Sequence, residues 1–206
     1  MRKEILYDRV FDAQAHYRLL LDAMARPGKV NRLPVLDLAP PAGFHQTSVL
    51  VALALLNADT CFASVGHDPL SIDEYLILNT SARPVATAAA DFVFVDGRRA
   101  MSEDLSNLKT GSLSYPEESA TLIVDVDEIS SEPVPGALIL ELSGPGVDGR
   151  RKVYMRGLDP AVLQTLEEQN LEFPLGIDAI FTDAEQRFFC IPRTSRMIVT
   201  HGVTNQ

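Results

Sequence analysis

Cysteine is nearly absent. Cys61 and Cys190 are the only two in 206 residues, which implies no disulfide framework, and each sits in an apolar stretch where a small thiol packs as a hydrophobe. Lysine is scarce too: Lys3, Lys29, Lys109 and Lys152 stand against 14 arginines, and none of the four lies on an apolar strand or helix face suited to a Schiff base. No apolar run approaches the roughly 20 residues that span a bilayer, and the first residues hold no apolar core of signal-peptide length, so a cytoplasmic location without a membrane partner is expected. His16, His45, His67 and His201 form no H-x-x-x-H or H-x-H pair, and C-x-x-C is missing, so no metal is expected. The absence of G-x-S-x-G weakens a Ser-His-Asp hydrolase. Positive charge is also short: 18 Lys+Arg against 28 Asp+Glu leave a net charge of -10, which disfavours nucleic acid as the main partner and requires any anionic ligand to find a local site.

What is present reads as one domain over residues 1–206, with 46% apolar and 22% charged residues, close to the averages of soluble globular chains. Val10, Ala13, Tyr17, Leu20, Leu21 and Met24 recur at helical spacing and predict an amphipathic helix over about 9–25, stopped by Arg26-Pro27-Gly28. A buried helix is expected from a Thr47 or Ser48 cap to Leu56, one over 71–80 capped by Ser71, a short one near Glu103 to Leu108, and one opened by Asp159-Pro160 and running to about Gln169. Strands are expected at 60–65, 92–95, 121–126, 137–142, 177–182, 187–191 and 197–201, with 183–186 as a hairpin connection. His16 and His201 are expected to make local hydrogen bonds. Helices and strands alternate irregularly, which predicts an α/β fold: a mixed β-sheet with helices on both faces.

Four constellations bear on chemistry. Gly144-Pro145-Gly146-Val147-Asp148-Gly149 satisfies G-x-G-x-x-G, yet no helical periodicity follows it, so a tight turn between strands is the better reading than a dinucleotide site, and Arg150-Arg151-Lys152 reads as an exposed charged loop. Lys109-Thr110-Gly111-Ser112 lacks the Walker order, but its turn is a candidate backbone nest for an oxyanion. Phe173-Pro174-Leu175-Gly176-Ile177-Asp178 and Ile191-Pro192-Arg193-Thr194 place proline bends beside strand ends, where ligands commonly bind in α/β sheets. An Arg193 facing a phosphate would contribute about 1.5 to 3 kcal/mol.

Taken together, these segments resemble a known family. Phe11-Asp12-Ala13-Gln14, Tyr17-Arg18, Met24-Ala25-Arg26-Pro27-Gly28, Leu108-Lys109-Thr110-Gly111-Ser112 with Tyr115-Pro116-Glu117, Ala120-Thr121-Leu122-Ile123, Leu142-Ser143-Gly144-Pro145-Gly146 and the two proline bends follow the order found in the PhnH family, the H subunits of the bacterial carbon-phosphorus lyase system. The resemblance implies a component of phosphonate catabolism that acts with the G, I and J subunits, the K subunit binding the resulting core complex. That assembly attaches a phosphonate to the ribose of ATP and displaces adenine, giving alpha-D-ribose 1-methylphosphonate 5-triphosphate, whose carbon-phosphorus bond the J subunit cleaves. It also implies a fold resembling pyridoxal-phosphate-dependent transferases without that cofactor, and a possible homodimer. No catalytic residue comes with it. Thr110, Gly111, Ser112, Arg193 and Thr194 are the candidates for anion or nucleotide contact. The readings to be separated are an assembly or substrate-binding subunit, a stand-alone phosphate- or nucleotide-binding enzyme using the Thr110–Ser112 turn and Arg193, and, remotely, an oxidoreductase using Gly144 to Gly149.

Overall fold

The computed structural model describes residues 7–66, 68–99 and 105–201. In chain order the elements are α1 (Phe11–Ala25), β1 (Asn31–Arg32), α2 (Gln46–Leu55), β2 (Cys61–Val65), α3 (Pro69–Thr80), β3 (Arg83–Pro84), β4 (Phe92–Asp96), β5 (Thr121–Asp125), β6 (Glu128–Ser130), β7 (Leu138–Ser143), β8 (Arg151–Arg156), α4 (Pro160–Gln169), β9 (Asp178–Thr182), β10 (Arg187–Ile191) and β11 (Arg196–His201). A seven-stranded sheet has the order β1-β10-β9-β5-β4-β2-β3, and a separate four-stranded sheet the order β11-β7-β8-β6. In the large sheet only β10 runs against the others. The small sheet is antiparallel throughout.

The expected mixed sheet is therefore there, but its two faces are covered differently. Successive strand residues point to opposite sides, so Phe62, Phe94, Ile123, Ile180, Phe188 and Cys190 pack with Leu20 of α1, Val49 of α2 and Ile72 of α3. Val93, Val95, Leu122, Val124, Phe181 and Phe189 face the other way. They meet Leu140 and Leu142 of β7, Val153 and Met155 of β8, and Leu163 of α4. Among the elements described in full, the second face thus carries a β-sheet with one helix, not a helical layer. The sequence does distinguish the sheets. Strands β4, β5, β9 and β10 are apolar on both sides, whereas β7 alternates buried and half-buried residues, the pattern of a sheet with one wet face.

Local expectations hold in most elements. Asp159 caps α4, its Oδ1 accepting the Ala161 N–H at 2.9 Å, and Pro160 takes the first turn, where its missing N–H costs nothing. The glycine run 144–149 joins antiparallel β7 and β8 as a turn, with positive φ at Gly144, Gly146 and Gly149. No helix follows it, which removes the dinucleotide reading. Arg151 and Lys152 belong to β8 and not to a loop. The chain enters α2 through His45, ahead of the expected cap, leaving Thr47 and Ser48 inside the helix. Asp68, not Ser71, occupies the cap position of α3. The helix near Glu103 to Leu108 lies partly outside the described residues.

On α1 the apolar face is split. His16, Leu20 and Ala23 are buried, while Val10, Tyr17 and Leu21 are 70%, 46% and 50% exposed. His16 makes no local bond: its Nδ1 is buried without a hydrogen-bond partner. Among the described residues no helix is long and apolar enough to cross a membrane.

Candidate functional site

The carboxyl ends of parallel strands are where α/β sheets usually place ligands, and here they carry a buried polar network. Asp96, Asp125 and Thr182 lie side by side in register on β4, β5 and β9, and Asp183 follows. All four are 3% exposed or less, so their oxygens must be met by donors inside the protein. Asp125 accepts from the Ser48 hydroxyl, from Thr182 Oγ1 at 2.8 Å and from the His45 backbone N–H at 3.2 Å. Asp183 accepts the N–H groups of Ile129, Glu185 and Arg187 at 3.0, 2.9 and 3.0 Å, and Arg187 Nε at 2.6 Å. Thr47 donates to the Asp183 carbonyl at 2.5 Å. Asp96 holds Arg98 through Nε at 2.8 Å, a hydrogen bond that raises the arginine's pKa. This network ties α2 and β6 to the large sheet. Sequence reasoning passed over it, although the signal was present three times: an acid at or just after the end of an apolar strand in Val95-Asp96, Val124-Asp125 and Thr182-Asp183.

Two further knots use the segments singled out in the sequence. In the first, Arg193 spends every guanidinium N–H inside the chain. Nε and Nη2 hold Asp178 at 3.4 and 2.7 Å, Nη2 also donates to the Ser119 hydroxyl, and Nη1 reaches the carbonyls of Pro116 and Pro174 at 2.8 and 3.5 Å. The Thr110–Ser112 turn belongs to the same knot, because the Thr110 carbonyl accepts the Gly176 N–H at 3.0 Å. Gly111, at φ +79°, lies so close to Pro116 that a Cβ would stand 2.7 Å from its carbonyl oxygen. Ser112 is already engaged, its N–H bonded to the Tyr115 carbonyl at 3.1 Å. The structure therefore brings Thr110, Gly111, Ser112 and Arg193 together through Pro116, while Thr194 is exposed and takes no part in these contacts.

In the second knot, Arg151 of β8 donates to the Arg26 and Pro27 carbonyls at 3.1 and 2.8 Å. A Cβ on Gly146 would overlap the Ala25 carbonyl. The end of α1 and the β7–β8 turn, two separate stretches of sequence, thus form a single contact.

Elsewhere, Cys190 is buried, and desolvation pushes its thiol well above the ordinary range. Cys61 is only half-buried; its Sγ donates to Asp91 Oδ2 at 3.0 Å, and burial followed by that bond raises its pKa. Among the described residues no group of His, Cys, Asp or Glu is placed to hold a metal.

A cleft of about 440 Å³ opens at the first knot, lined by Arg193 itself and by Leu171, Phe173, Thr194, Ser195 and Arg196. An adjoining cleft of about 540 Å³ runs along β11 and carries Glu141 and Glu167.

Fold and site together define a layered α/β protein in which the buried acids and the motif arginine serve to join segments of the chain. The chain belongs to the PhnH family of bacterial phosphonate metabolism proteins, which it matches over residues 5–198. It is similar to the alpha-D-ribose 1-methylphosphonate 5-triphosphate synthase subunit PhnH of Rhizobium meliloti (strain 1021), at 31% identity over 193 residues, 92% of each chain. It is also 29% identical over 184 residues to the putative C-P lyase subunit protein HtxG of Stutzerimonas stutzeri, covering 89% of this chain and 85% of that one.

Proposed function

We propose that this chain is an assembly or substrate-binding subunit of the carbon-phosphorus lyase core complex, without a complete active site of its own. In this reading it acts with the G, I and J subunits, K binding the core, to form alpha-D-ribose 1-methylphosphonate 5-triphosphate from ATP and a phosphonate. The observation that carries the reading is its match to a relative named as a subunit of that synthase, over 92% of both chains. The internal use of Arg193, Asp125 and Asp183 supports it, since groups locked into the fold are not available for chemistry. The proposal extends to a single unit over residues 1–206, a fold related to pyridoxal-phosphate-dependent transferases without the cofactor, a cytoplasmic location, and a homodimer when partners are absent. Size-exclusion chromatography of the full chain mixed with purified G, I and J subunits tests it. Stoichiometric co-elution is expected; separate elution overturns it.

A second reading has one observation in its favour: the Thr110–Ser112 turn and Arg193 do meet, through Pro116. A stand-alone phosphate- or nucleotide-binding enzyme built there would turn over substrate without partners. The internal engagement of all five Arg193 donors weighs against it.

A further inference from the structure

We infer that the cleft walled by Phe173 and Arg196 is a binding site for a phosphoryl or phosphonyl oxyanion carried on an apolar or aromatic body. Arg196 is its cation, the Thr194 and Ser195 hydroxyls its neutral donors, and Phe173 with Leu171 its apolar wall. The anion site is read from the cleft, and the choice of a phosphoryl or phosphonyl group rests on the function proposed above.

Charge comes first. In a chain of net charge -10, no carboxylate lines this cleft among the described residues, whereas two arginines do. Arg193 contributes no free N–H, as shown above. Arg196 is different: it is exposed, and among the described residues it makes neither an ion pair nor a side-chain hydrogen bond. A guanidinium without a protein partner presents the planar fork that matches two oxygens of a phosphoryl group. In the adjoining cleft Glu141 is already engaged by Arg150 and by Lys152, at 3.8 Å in the second case. Glu167 adds a further negative charge there. Ser195 and Arg196 line both clefts, and the carboxylates of the second leave the Phe173 side as the one that favours an oxyanion.

The second observation is an orphan. Ser195 Oγ is buried and has no hydrogen-bond partner, an arrangement that ordinarily costs stability unless something supplies the missing bond. Ser195 lines the cleft next to Arg196, and a ligand oxygen met by rotation of that side chain would supply the missing bond. The exposed Thr194 hydroxyl is its neighbour in sequence.

The third is the rigidity of the frame. Arg196 opens β11 and is registered opposite Ser143 of β7. The turn before it is closed by the Ser195 N–H bonding to the Pro192 carbonyl at 2.9 Å. Gly144 sits close against it, where a Cβ would stand 3.1 Å from the Thr194 carbonyl oxygen. The Arg193 clamp also holds the loop from which Leu171 and Phe173 project, 75% and 67% exposed. Large apolar side chains held outward by a fixed loop, lining the same cleft as a free cation, suit a ligand with an apolar body and an anionic end.

Isothermal titration calorimetry on the full chain tests this with inorganic triphosphate, ATP, methylphosphonate and phenylphosphonate. At least one is expected to bind. Tighter binding of ATP than of triphosphate assigns the apolar body to a nucleobase, and tighter binding of phenylphosphonate than of methylphosphonate assigns it to the organic group of a phosphonate; either result supports the site. Arg196→Ala should weaken binding by about tenfold to a hundredfold with an unchanged unfolding midpoint, and Arg196→Lys by less. Ser195→Ala should weaken binding while leaving the ligand-free protein as stable as before or more so, because it removes an unsatisfied buried hydroxyl. Absence of binding by all four compounds, or binding that survives Arg196→Ala undiminished, overturns the inference.

Discussion

Replacing Arg193 is the perturbation whose consequence follows most directly from the geometry. Its side chain is 14% exposed and that of its partner Asp178 is 24% exposed, so Arg193→Ala leaves a largely buried carboxylate without its cation. Removing one member of such a pair costs about 3 to 5 kcal/mol. The carbonyls of Pro116 and Pro174 and the Ser119 hydroxyl lose a donor at the same time. Arg193→Lys keeps the charge but offers three donors from one point instead of five from a fork, and should cost about 1.5 to 3 kcal/mol. Taking an m value of about 2 to 3 kcal/mol per molar urea, Arg193→Ala should lower the unfolding midpoint by about 1 to 2.5 M. If that variant does not fold, Arg193→Lys still reports: amide exchange at Gly176, whose N–H bonds to Thr110, should accelerate because the two loops are no longer pinned. An Arg193→Ala protein within about 0.5 kcal/mol of the parent that had nonetheless lost affinity for phosphate would show that the guanidinium faces a ligand and not the loops.

Two other outcomes are expected. Gly146→Ala should cost about 2 kcal/mol or more in thermal unfolding, because Gly146 combines a φ of +81° with overlap against the Ala25 carbonyl. Gly149→Ala, at φ +67° with open space around it, should cost about 1 kcal/mol, and equal losses would contradict the close approach of α1. Burial holds the His16 imidazole below its ordinary value of 6.5, with Asp12 opposing. The unfolded chain therefore takes up that proton first as pH falls. The His16 contribution is whole above about pH 6.5 and declines below it toward the folded value, by at most about 1.4 kcal/mol per pH unit. His16→Phe should flatten the stability profile in that window, and identical slopes for parent and variant would count against it.

Much of the fold was legible because the relevant signals are local. The Asp159-Pro160 cap fixed the start of α4, and the glycine run without a following helix read correctly as a turn. Other features depend on partners distant in sequence. The spacing of Val10, Tyr17 and Leu21 marks an apolar helix face, but only the packing of α1 against α2 and β10 decides that His16 and Leu20 are the residues buried. Charged ends hid β8, whose Val153 and Met155 alternate beneath Arg151 and Lys152. The motif segments pointed to the right region, and four of the five candidate residues do converge. Their roles were not readable, because the saturation of Arg193 requires Pro116, Ser119, Pro174 and Asp178, spread over more than 60 positions, to meet at one guanidinium. Arg196 and the unpartnered Ser195 hydroxyl were passed over for the same reason: what distinguishes them is the partner they lack.

The measurement that bears most directly on the account is an omission experiment on the synthase reaction. Purified G, I and J subunits, ATP and methylphosphonate are combined with and without this chain, and the ribose 1-methylphosphonate 5-triphosphate formed is followed by phosphorus NMR. The account predicts product only when the chain is present with its partners, and none from the chain alone. Turnover by the isolated chain, or an undiminished yield when it is left out, would contradict it.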